Sequence, residues 1–466
     1  MTESQGVQLR DGQSASNLFH RILWQTKRRF AELEKYADLT EDPKQFRRHY
    51  VERLPQFEAV RLSSPERAAM ASELFQALLG ELVYREPGAV QPLQAYLNRK
   101  VEPARLLTTE GDRKGASKFQ LEYEGQTWDS LQALSDLLVS RRIMNSAAGE
   151  ALTWLQRQVL AVDGLNLGGR KVVVFGAGAE MASTRLFLEA GADVLWLDLA
   201  APPAELTPDS FAGKLSWADQ PMDLLLEPAK VLATIVEFAK DDPVDLCLYA
   251  YAPGQARELR LTGTMNVLIE AMPEALVRSV TMLVSPTTTS ELHAQDLLDI
   301  EARKSASPFW EKALGALGVM GRPGVASCRY ASVTRTLVNI QGTSYQAAQY
   351  LGKLMAAEAW HARGIRVSAN TAAITQTRSL DHPVFDAAFG GAKALQVETF
   401  TPIQSQTING LLSIHDWLNP NIPPPGRARV HGGIHTLPYP LDKALRIAAA
   451  IGFARSPGLL RGLVKA

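Results

Sequence analysis

Apolar side chains recur every three to four residues over much of the first 165 positions. Two series show this spacing clearly: Leu18-Ile22-Leu23-Phe30-Leu33 and Met70-Leu74-Leu78-Leu79-Leu82. Such spacing puts the apolar residues on one face of a helix. Alternating apolar residues at 119–123 indicate one short strand. The pattern therefore predicts a mainly α-helical N-terminal domain over residues 1–165, and packing or oligomerisation is the favoured role for it over substrate binding.

Beyond residue 165 the pattern changes to short apolar runs separated by helical stretches. The runs are residues 171–175, 194–197, 215–219, 244–248, 279–285 and 365–371. Continuous runs rich in β-branched residues are typical of strands buried on both faces of a parallel sheet. We therefore predict an α/β domain with a doubly wound parallel sheet over residues 166–420, followed by a C-terminal tail over residues 421–466.

Composition narrows the classes of function. The 49 Lys and Arg residues balance 49 Asp and Glu residues, so we expect no nucleic-acid partner. Cys247 and Cys328 are too few for a disulfide framework and lack the paired spacing of a zinc site. The polar first residues and the shortness of every apolar run predict neither a signal peptide nor a membrane span. We expect a cytoplasmic protein.

A glycine-rich turn follows the first of the runs. Lys171–Phe175 leads into Gly176 and Gly178, and the pattern then predicts a helix that ends near Gly191. Glycines let a backbone approach a pyrophosphate, and the N–H groups at a helix start face its negative charge. Asp198 ends the next run, about 20 residues beyond the glycines, where a carboxylate can bind a ribose 2′-hydroxyl. The turn predicts dinucleotide binding, with NAD(H) preferred over NADP(H) because an acid repels a 2′-phosphate.

The ordered runs resemble the short-chain dehydrogenase/reductase superfamily. The resemblance is carried by residues 172–182, 215–219, 244–254, 261–267, 279–285 and 363–377. It implies a Rossmann-type fold in a divergent member with an N-terminal helical extension. It also implies NAD(P) as cofactor and cofactor-binding roles for Gly176, Gly178, Glu180, Met181, Asp198, Asp219, Ala250 and Tyr251. Glu180 and Ala182 stand where the family usually has glycine.

The same resemblance implies a catalytic set. In this family a serine positions the substrate carbonyl, and a tyrosine exchanges the proton beside an activating lysine. The matching residues are Ser285, Tyr345 and Lys353, although Gln349 occupies the usual lysine position. Lys353 lies about two helical turns after Tyr345 and so shares its face. Arg260 stands where the family has an asparagine that supports a water relay. The alternative is that Tyr345 only packs and that Lys353 is solvated.

The resemblance implies an NAD(P)-dependent oxidoreductase, such as a ketoreductase, that reduces or oxidises a carbonyl/alcohol or an enoyl group. The alternative is a catalytically inactive protein of the same fold that binds a dinucleotide or serves as a scaffold. Glu180, Arg260 and Gln349 favour this alternative. The apolar character of the insertion and the tail suggests a hydrophobic small-molecule or acyl substrate. Members of this family often pair through the helices after strands four and five, so the resemblance implies a homo-oligomer, although the N-terminal extension could block or replace that interface.

An insertion at about residues 290–335 lengthens the segment between Ser285 and Tyr345. We expect it to build a lid or substrate wall. Core packing is the favoured explanation for its apolar residues, and a lipophilic substrate wall is the alternative: Trp310, Leu314, Leu317 and Met320.

The tail from residue 441 alternates apolar and basic residues, which predicts an amphipathic helix. A packed tail is favoured over two alternatives, peripheral contact with an anionic membrane and closure over an apolar substrate. His431 and His435 lack further ligands nearby, so we expect no metal.

Overall fold

The computed structural model describes residues 5–114, 119–162, 164–252, 254, 256–321, 323–378 and 383–459. The strands are β1 Gly6–Leu9, β2 Leu82–Glu86, β3 Ala89–Pro92, β4 Leu106–Glu110, β5 Leu121–Tyr123, β6 Gln126–Trp128, β7 Lys171–Phe175, β8 Asp193–Leu197, β9 Lys214–Ala218, β10 Val244–Leu248, β11 Val277–Val284, β12 Glu291–Leu292, β13 Val325–Cys328, β14 Ala331–Thr334 and β15 Arg366–Thr371. The helices are α1 Ala15–Arg29, α2 Ala31–Tyr36, α3 Pro43–Leu62, α4 Arg67–Gly80, α5 Leu93–Leu97, α6 Leu131–Ser140, α7 Ser146–Leu155, α8 Thr184–Glu189, α9 Pro228–Ala239, α10 Arg257–Ala271, α11 Ala294–Ser305, α12 Phe309–Ala316, α13 Gly342–Gln349, α14 Ala356–Ala362, α15 Pro383–Ala392, α16 Pro402–Leu418 and α17 Leu441–Arg455.

A seven-stranded sheet forms the centre of the molecule, in the order β15-β11-β10-β7-β8-β9-β4. The strands from β7 to β15 in it are parallel, whereas β4 pairs with β9 in the antiparallel direction. Numbered along the chain, the parallel strands stand in the order 3-2-1-4-5-6, which is the Rossmann order. The predicted fold class is confirmed, and each of the predicted runs forms a strand of this sheet.

Successive side chains of the central strands enter different cores. Val173 and Leu195 belong to a core on one face, while Val172 and Val194 belong to a core on the other. This alternation follows from the pleat, which sends neighbouring side chains to opposite faces. Because both faces are covered, the strands need apolar residues at nearly every position, as β7 has.

The N-terminal region is mainly helical, but it also completes the sheet. β4 adds an edge strand beside β9, and β1, β2 and β3 form a small sheet of their own. The helices α1, α4 and α5 pack on α13, α14 and α10, respectively. Their apolar residues belong to the same core as Val173. The boundary near residue 165 stays a prediction, and the hydrophobic core continues across it.

The insertion folds into α11, α12 and a three-stranded sheet in the order β12-β14-β13. Met320 is buried against the C-terminal helix α17, and Trp310 and Leu314 pack at the edge of the same core. Leu317 is exposed. In the tail, α17 packs along α15; the last residues, 460–466, lie outside the described part. No helix among the described residues is both long and apolar enough to cross a membrane.

Candidate functional site

A cavity of about 540 Å³ opens at the carboxyl ends of β7, β10, β11 and β15. The loops after these strands form one side of it, and α13 with the segment that follows forms another. β7 and β10 are neighbours in the sheet although β8 and β9 separate them along the chain. The cavity therefore lies where the strand order reverses, which is the usual position for ligands in open α/β sheets.

Ser285 and Tyr345 line this cavity together. The Ser285 hydroxyl lies 2.9 Å from the Thr287 hydroxyl. Burial raises the pKa of Tyr345, and hydrogen bonding of its phenol to the side chains of Ser285 and Thr287 opposes that rise. The three hydroxyl groups thus converge at the end of β11, as the resemblance implied for Ser285 and Tyr345.

Gln349 replaces the expected lysine and takes a structural role. Its Oε1 accepts a hydrogen bond from the Ser285 backbone N–H at 3.1 Å. One turn earlier on the same helix face, the Gln346 amide donates to the Thr287 carbonyl at 3.0 Å. These two glutamines hold the loop that presents the hydroxyl groups. A lysine at position 349 could not accept the Ser285 N–H, because an ammonium has no acceptor.

Lys353 reaches the cavity from a π-helical segment, Tyr350–Met355, that joins α13 to α14. Its ammonium donates to the Leu283 carbonyl at 3.1 Å. Burial lowers the pKa of Lys353, and the nearby Glu258 carboxylate opposes that shift. Lys353 is therefore buried in the site, and the alternative of a solvated lysine is wrong.

Glu258 is a site residue that the sequence analysis missed. It lies at the start of α10, is 3% exposed and lines the cavity. Its Oε2 accepts the Ala252 backbone N–H at 2.9 Å, whereas Oε1 is buried without a protein partner. Burial raises the pKa of Glu258 and the charge of Lys353 lowers it. A carboxylate and an ammonium thus share the floor of the cavity.

Arg260 does not take part in the site. Its guanidinium donates to the Val7 carbonyl at 3.0 Å and to Gln8 at 2.7 Å. The position therefore ties α10 to the N-terminal strand β1, which agrees with the absence of the family's relay asparagine there. Glu258, Leu261 and Thr262 are buried at helical spacing, a pattern that could have identified Glu258 as the inward residue.

The glycine turn after β7 is tight, but the helix starts later than predicted. Gly176 has a φ of +72°, and a Cβ there would lie 2.4 Å from the Ala250 Cα, so only glycine fits. Ala250 itself is buried against this turn. The helix α8 begins at Thr184 and has six residues, so the predicted helix start directly after Gly178 is wrong.

Asp198 ends β8 as predicted and binds the glycine turn itself. Its Oδ2 accepts the Gly178 N–H at 2.9 Å, and Oδ1 accepts the N–H groups of Leu199 and Ala200 at 2.7 and 3.3 Å. A carboxylate offers about four acceptor positions, so one remains for a ribose hydroxyl. Asp219 follows β9 and is exposed. The tight turn and the two acids fit a dinucleotide, although the Gly178 amide already has a partner.

Glu180, Met181 and Tyr251 line the cavity. The Glu180 carboxylate accepts the Arg378 backbone N–H at 3.0 Å, and its carbonyl accepts the Gln406 amide at 2.7 Å. Glu180 stands where the resembling family has glycine, and these two bonds fix the loop at this position. Gly176, Gly178, Asp198, Asp219 and Ala250, all described residues, lie outside the lining of this cavity.

The two histidines of the tail support the loop after β11. Their rings stack at 4.8 Å, and His435 Nε2 lies 2.9 Å from the Pro286 carbonyl oxygen, a hydrogen-bond distance. Burial lowers the pKa of His435 to about 3, so the ring is neutral at physiological pH and its Nε2–H donates to Pro286. No cluster of three or more potential metal ligands occurs within the described ranges.

The insertion contributes nothing to the lining of this cavity among its described residues. The wall comes instead from residues 340–345 and from Phe385 on α15. The expected lid or substrate wall is therefore not built by the insertion at this cavity. Core packing, the favoured explanation for its apolar residues, agrees with Trp310, Leu314 and Met320, whereas Leu317 is exposed.

No protein-family model and no curated protein matches the sequence. Among solved structures, the chain is similar to 3-alpha-hydroxysteroid dehydrogenase from Pseudomonas sp. B-0831 complexed with NADH, at 15% identity over 56% of this chain and 96% of that one, with a TM-score of 0.33. It is also similar to the Bordetella bronchiseptica enzyme WbmG in complex with NAD, at 12% identity over 63% and 96% of the two chains, with a TM-score of 0.29. TM-scores this low support no transfer of function, and the fold assignment rests on the strand order.

Proposed function

We propose that the chain is an NAD(P)-dependent oxidoreductase that acts on a carbonyl/alcohol or enoyl group of a hydrophobic substrate. The observation that carries this proposal is the convergence of Ser285, Tyr345 and Lys353 on one cavity at the reversal point of the sheet. A hydroxyl pair beside a buried ammonium suits the polarisation of a carbonyl oxygen and the transfer of a proton to it.

The direction we propose is reduction. Burial raises the pKa of Tyr345, so the phenol keeps its proton at neutral pH and can donate it. The Ser285 hydroxyl, which donates to Thr287 while Thr287 donates to Gln341, would turn to donate to the substrate oxygen beside that phenol. As the carbonyl carbon is reduced, its oxygen takes the Tyr345 proton and becomes the alcohol.

Lys353 and Glu258 would restore that proton. Each carries a pKa that burial shifts towards its neutral form, and each charge opposes the shift of the other. Because burial disfavours the charged form of each group, a proton could pass between them. Glu258 would thus replace the asparagine relay of the resembling family by a carboxylate.

The residues proposed to hold the cofactor are those of the turn after β7 and the acids beyond it. Gly176 allows close approach, Asp198 would accept a ribose hydroxyl, and Asp219 would face the adenine. When bound, a nicotinamide dinucleotide supplies or accepts the hydride. The negative charge of Asp198 supports NAD(H) over NADP(H), because a 2′-phosphate beside it would be repelled.

A second candidate is a dinucleotide-fold protein without turnover. The observation that favours it is the hydrogen bond from Gly178 to Asp198, which occupies an amide of the glycine turn. In this case the short helix α8 would offer little attraction to a pyrophosphate, because its dipole is small.

The test combines cofactor titration with a substrate screen. We expect NADH to bind at least about fivefold tighter than NADPH, since a like-charge contact at 4 Å costs about 1–4 kcal/mol. With an active ketone, Tyr345→Phe should lower kcat by about 10²–10⁴-fold and leave NADH binding unchanged. Tyr96→Phe, on the N-terminal helix α5, is the matched control.

NADH binding without turnover of any carbonyl would favour the second candidate. Absence of both NADH and NADPH binding would exclude both candidates, and unchanged turnover in Tyr345→Phe would remove that residue from the mechanism.

A further inference from the structure

An apolar chamber lies beside the main cavity and shares part of its lining. Its volume is about 90 Å³. Both spaces are lined by Thr287, Gln341, Ile374 and Phe385, so these residues form the junction. The Thr287 hydroxyl donates to Gln341 Oε1 at 2.7 Å. The polar groups at the junction therefore satisfy each other, and a ligand group passing them need not offer a hydrogen bond.

Beyond the junction the chamber lies between α15 and α17. Its wall there is formed by Ala388 and Ala392 on α15 and by Ala444, Leu445 and Ala448 on α17. Apart from Thr399, the remaining lining is also apolar, and no charged side chain of the described residues takes part. A polar or charged group would lose its hydration in this space without gaining hydrogen bonds or an opposite charge to replace it. The α17 helix comes from the tail, outside the segments that carry the family resemblance.

Two glycines fix the width of the chamber. A Cβ on Gly391 would lie 1.9 Å from the Ala448 carbonyl oxygen, and a Cβ on Gly452 would lie 1.8 Å from the Ala387 carbonyl oxygen. The backbones of α15 and α17 are therefore in direct contact beside the chamber. Backbone contact of this kind cannot yield as flexible side chains do, so the chamber keeps its size.

We propose that this chamber binds the tail of the substrate, a straight aliphatic chain attached to the reacting carbonyl carbon. This rests on the proposed function, because the reacting group lies beside Ser285 and Tyr345 in the main cavity. The chamber has room for roughly six to nine water-sized groups, taking about 10–15 Å³ for each. That space suits a row of methylene groups, which gain affinity from burial and need no partner.

Calorimetric titration with straight-chain primary alcohols, from butanol through hexanol and octanol to decanol, tests the proposal without cofactor or turnover. In the native protein, affinity should rise about fourfold per methylene group until the chamber is full and then level off, since burying one methylene is worth about 0.8 kcal/mol.

Two variants should change, in opposite directions, the alcohol chain length at which the affinity levels off. Ala388→Leu fills the chamber and should move it to shorter alcohols, whereas Leu445→Ala enlarges the chamber and should move it to longer ones. Ala450→Leu, at an exposed position of α17, is the matched control and should leave the series unchanged. A general loss of stability would not shift the two variants in opposite directions.

The outcomes separate this proposal from the one on which it rests. Chain-length-dependent binding together with a failure to bind NADH or NADPH would support the chamber and contradict the oxidoreductase. An affinity that does not depend on chain length, or an unchanged series in both Ala388→Leu and Leu445→Ala, would overturn the chamber even if ketones are reduced.

Discussion

A buried carboxylate beside a buried ammonium gives the site its own pH behaviour. Glu258 and Lys353 lie in the same cavity, and the Glu258 charge raises the pKa of Lys353 against the effect of burial. The protonated lysine therefore persists to higher pH than it would with a neutral neighbour. If turnover needs the ammonium, the alkaline limit of activity depends on Glu258.

Glu258→Gln should shift the alkaline limb of the kcat/KM profile to lower pH. The amide retains an acceptor for the Ala252 N–H but removes the charge that raises the pKa of Lys353, so Lys353 loses its proton earlier as pH rises. The measurement is kcat/KM against pH for the native protein and the variant. Glu270→Gln, which removes a half-buried carboxylate elsewhere on α10, should not move the limb.

An alkaline limb that stays in place in Glu258→Gln, with kcat unchanged, would show that the carboxylate is only structural. A loss of kcat at all pH values with no shift of the limb would contradict the effect of Glu258 on the pKa of Lys353 and would favour a role in proton transfer alone.

The residues proposed to be catalytic could partly be predicted from sequence because they lie near recognisable strands. Ser285 ends an apolar run, and Tyr345 shares a helix face with Lys353. Glu258 was missed because the family resemblance singled out Arg260 as the relay position. Arg260 lies two positions further on and faces the N-terminal strand. Residues two positions apart on a helix lie on different faces. Glu258 therefore lines the cavity, whereas Arg260 contacts β1.

At the scale of elements, the strands followed from local pattern whereas the pairing of distant elements did not. β7 is an unbroken apolar run, and such a run specifies a buried strand by itself. β4 contains Thr108 and Thr109 and is largely exposed. Its sequence pattern therefore does not indicate that it pairs with β9. The contact between α15 and α17 likewise depends on glycines whose effect appears only when the two helices meet.

Gly452→Ala should lower the free energy of unfolding by about 1–3 kcal/mol, because the added methyl would lie against the Ala387 carbonyl and force the helices apart. Denaturant unfolding measures the change. Gly390→Ala is the matched control: its Cβ would meet nothing closer than 3.8 Å, and alanine is the better helix former by about 0.4–1 kcal/mol.

A destabilised Gly390→Ala, or a Gly452→Ala variant as stable as the native protein, would contradict the account of helix contact. In either case the chamber between α15 and α17 would lack the rigid wall described for it.

At the scale of the whole molecule, a buried ionic cluster joins the N-terminal region to the sheet domain. Arg61 on α3 is fully buried and binds Glu58 and, on α14, Glu358, with N–O distances of 2.7 Å to each. Tyr350 donates to Glu58 at 2.5 Å. The pKa of Glu358 is lowered because Arg61 and Arg67 outweigh the effect of burial. Because of this cluster, the stability of the contact between α3 and α14 depends on pH.

Glu358→Gln should lower the free energy of unfolding by about 3–5 kcal/mol near neutral pH, because it leaves a buried guanidinium short of a partner. Since the folded state lowers the pKa of Glu358, its contribution is complete above the unfolded value of about 4.3 and is lost as pH falls through the lower folded value. On acidification the native protein should therefore lose the free energy of unfolding that Glu358 contributes. The Glu358→Gln variant lacks this contribution at every pH, so its stability should fall less.

Chemical unfolding at several pH values provides the measurement, with Glu73→Gln as control. Glu73 pairs with the largely exposed Arg29, and such surface pairs contribute about 0–1 kcal/mol. Equal losses in the two variants, or a pH dependence that Glu358→Gln does not reduce, would contradict the account.

The N-terminal helices also bear on assembly. They cover α10, α13 and α14, the helices after strands four and five through which the resembling family pairs. The homo-oligomer that we expected from sequence stays a prediction, and it would require another surface.

The edge position of β4 has a consequence during synthesis. Glu110 on β4 precedes Lys214, its partner on β9, by 104 residues, which a ribosome takes roughly 5–20 s to translate at about 5–20 residues per second. Throughout that interval the nascent chain carries apolar helices whose sheet does not yet exist. The strand β4 is therefore made before the strand that pairs with it, and its place at the edge of the sheet can be filled only after β9 has been translated.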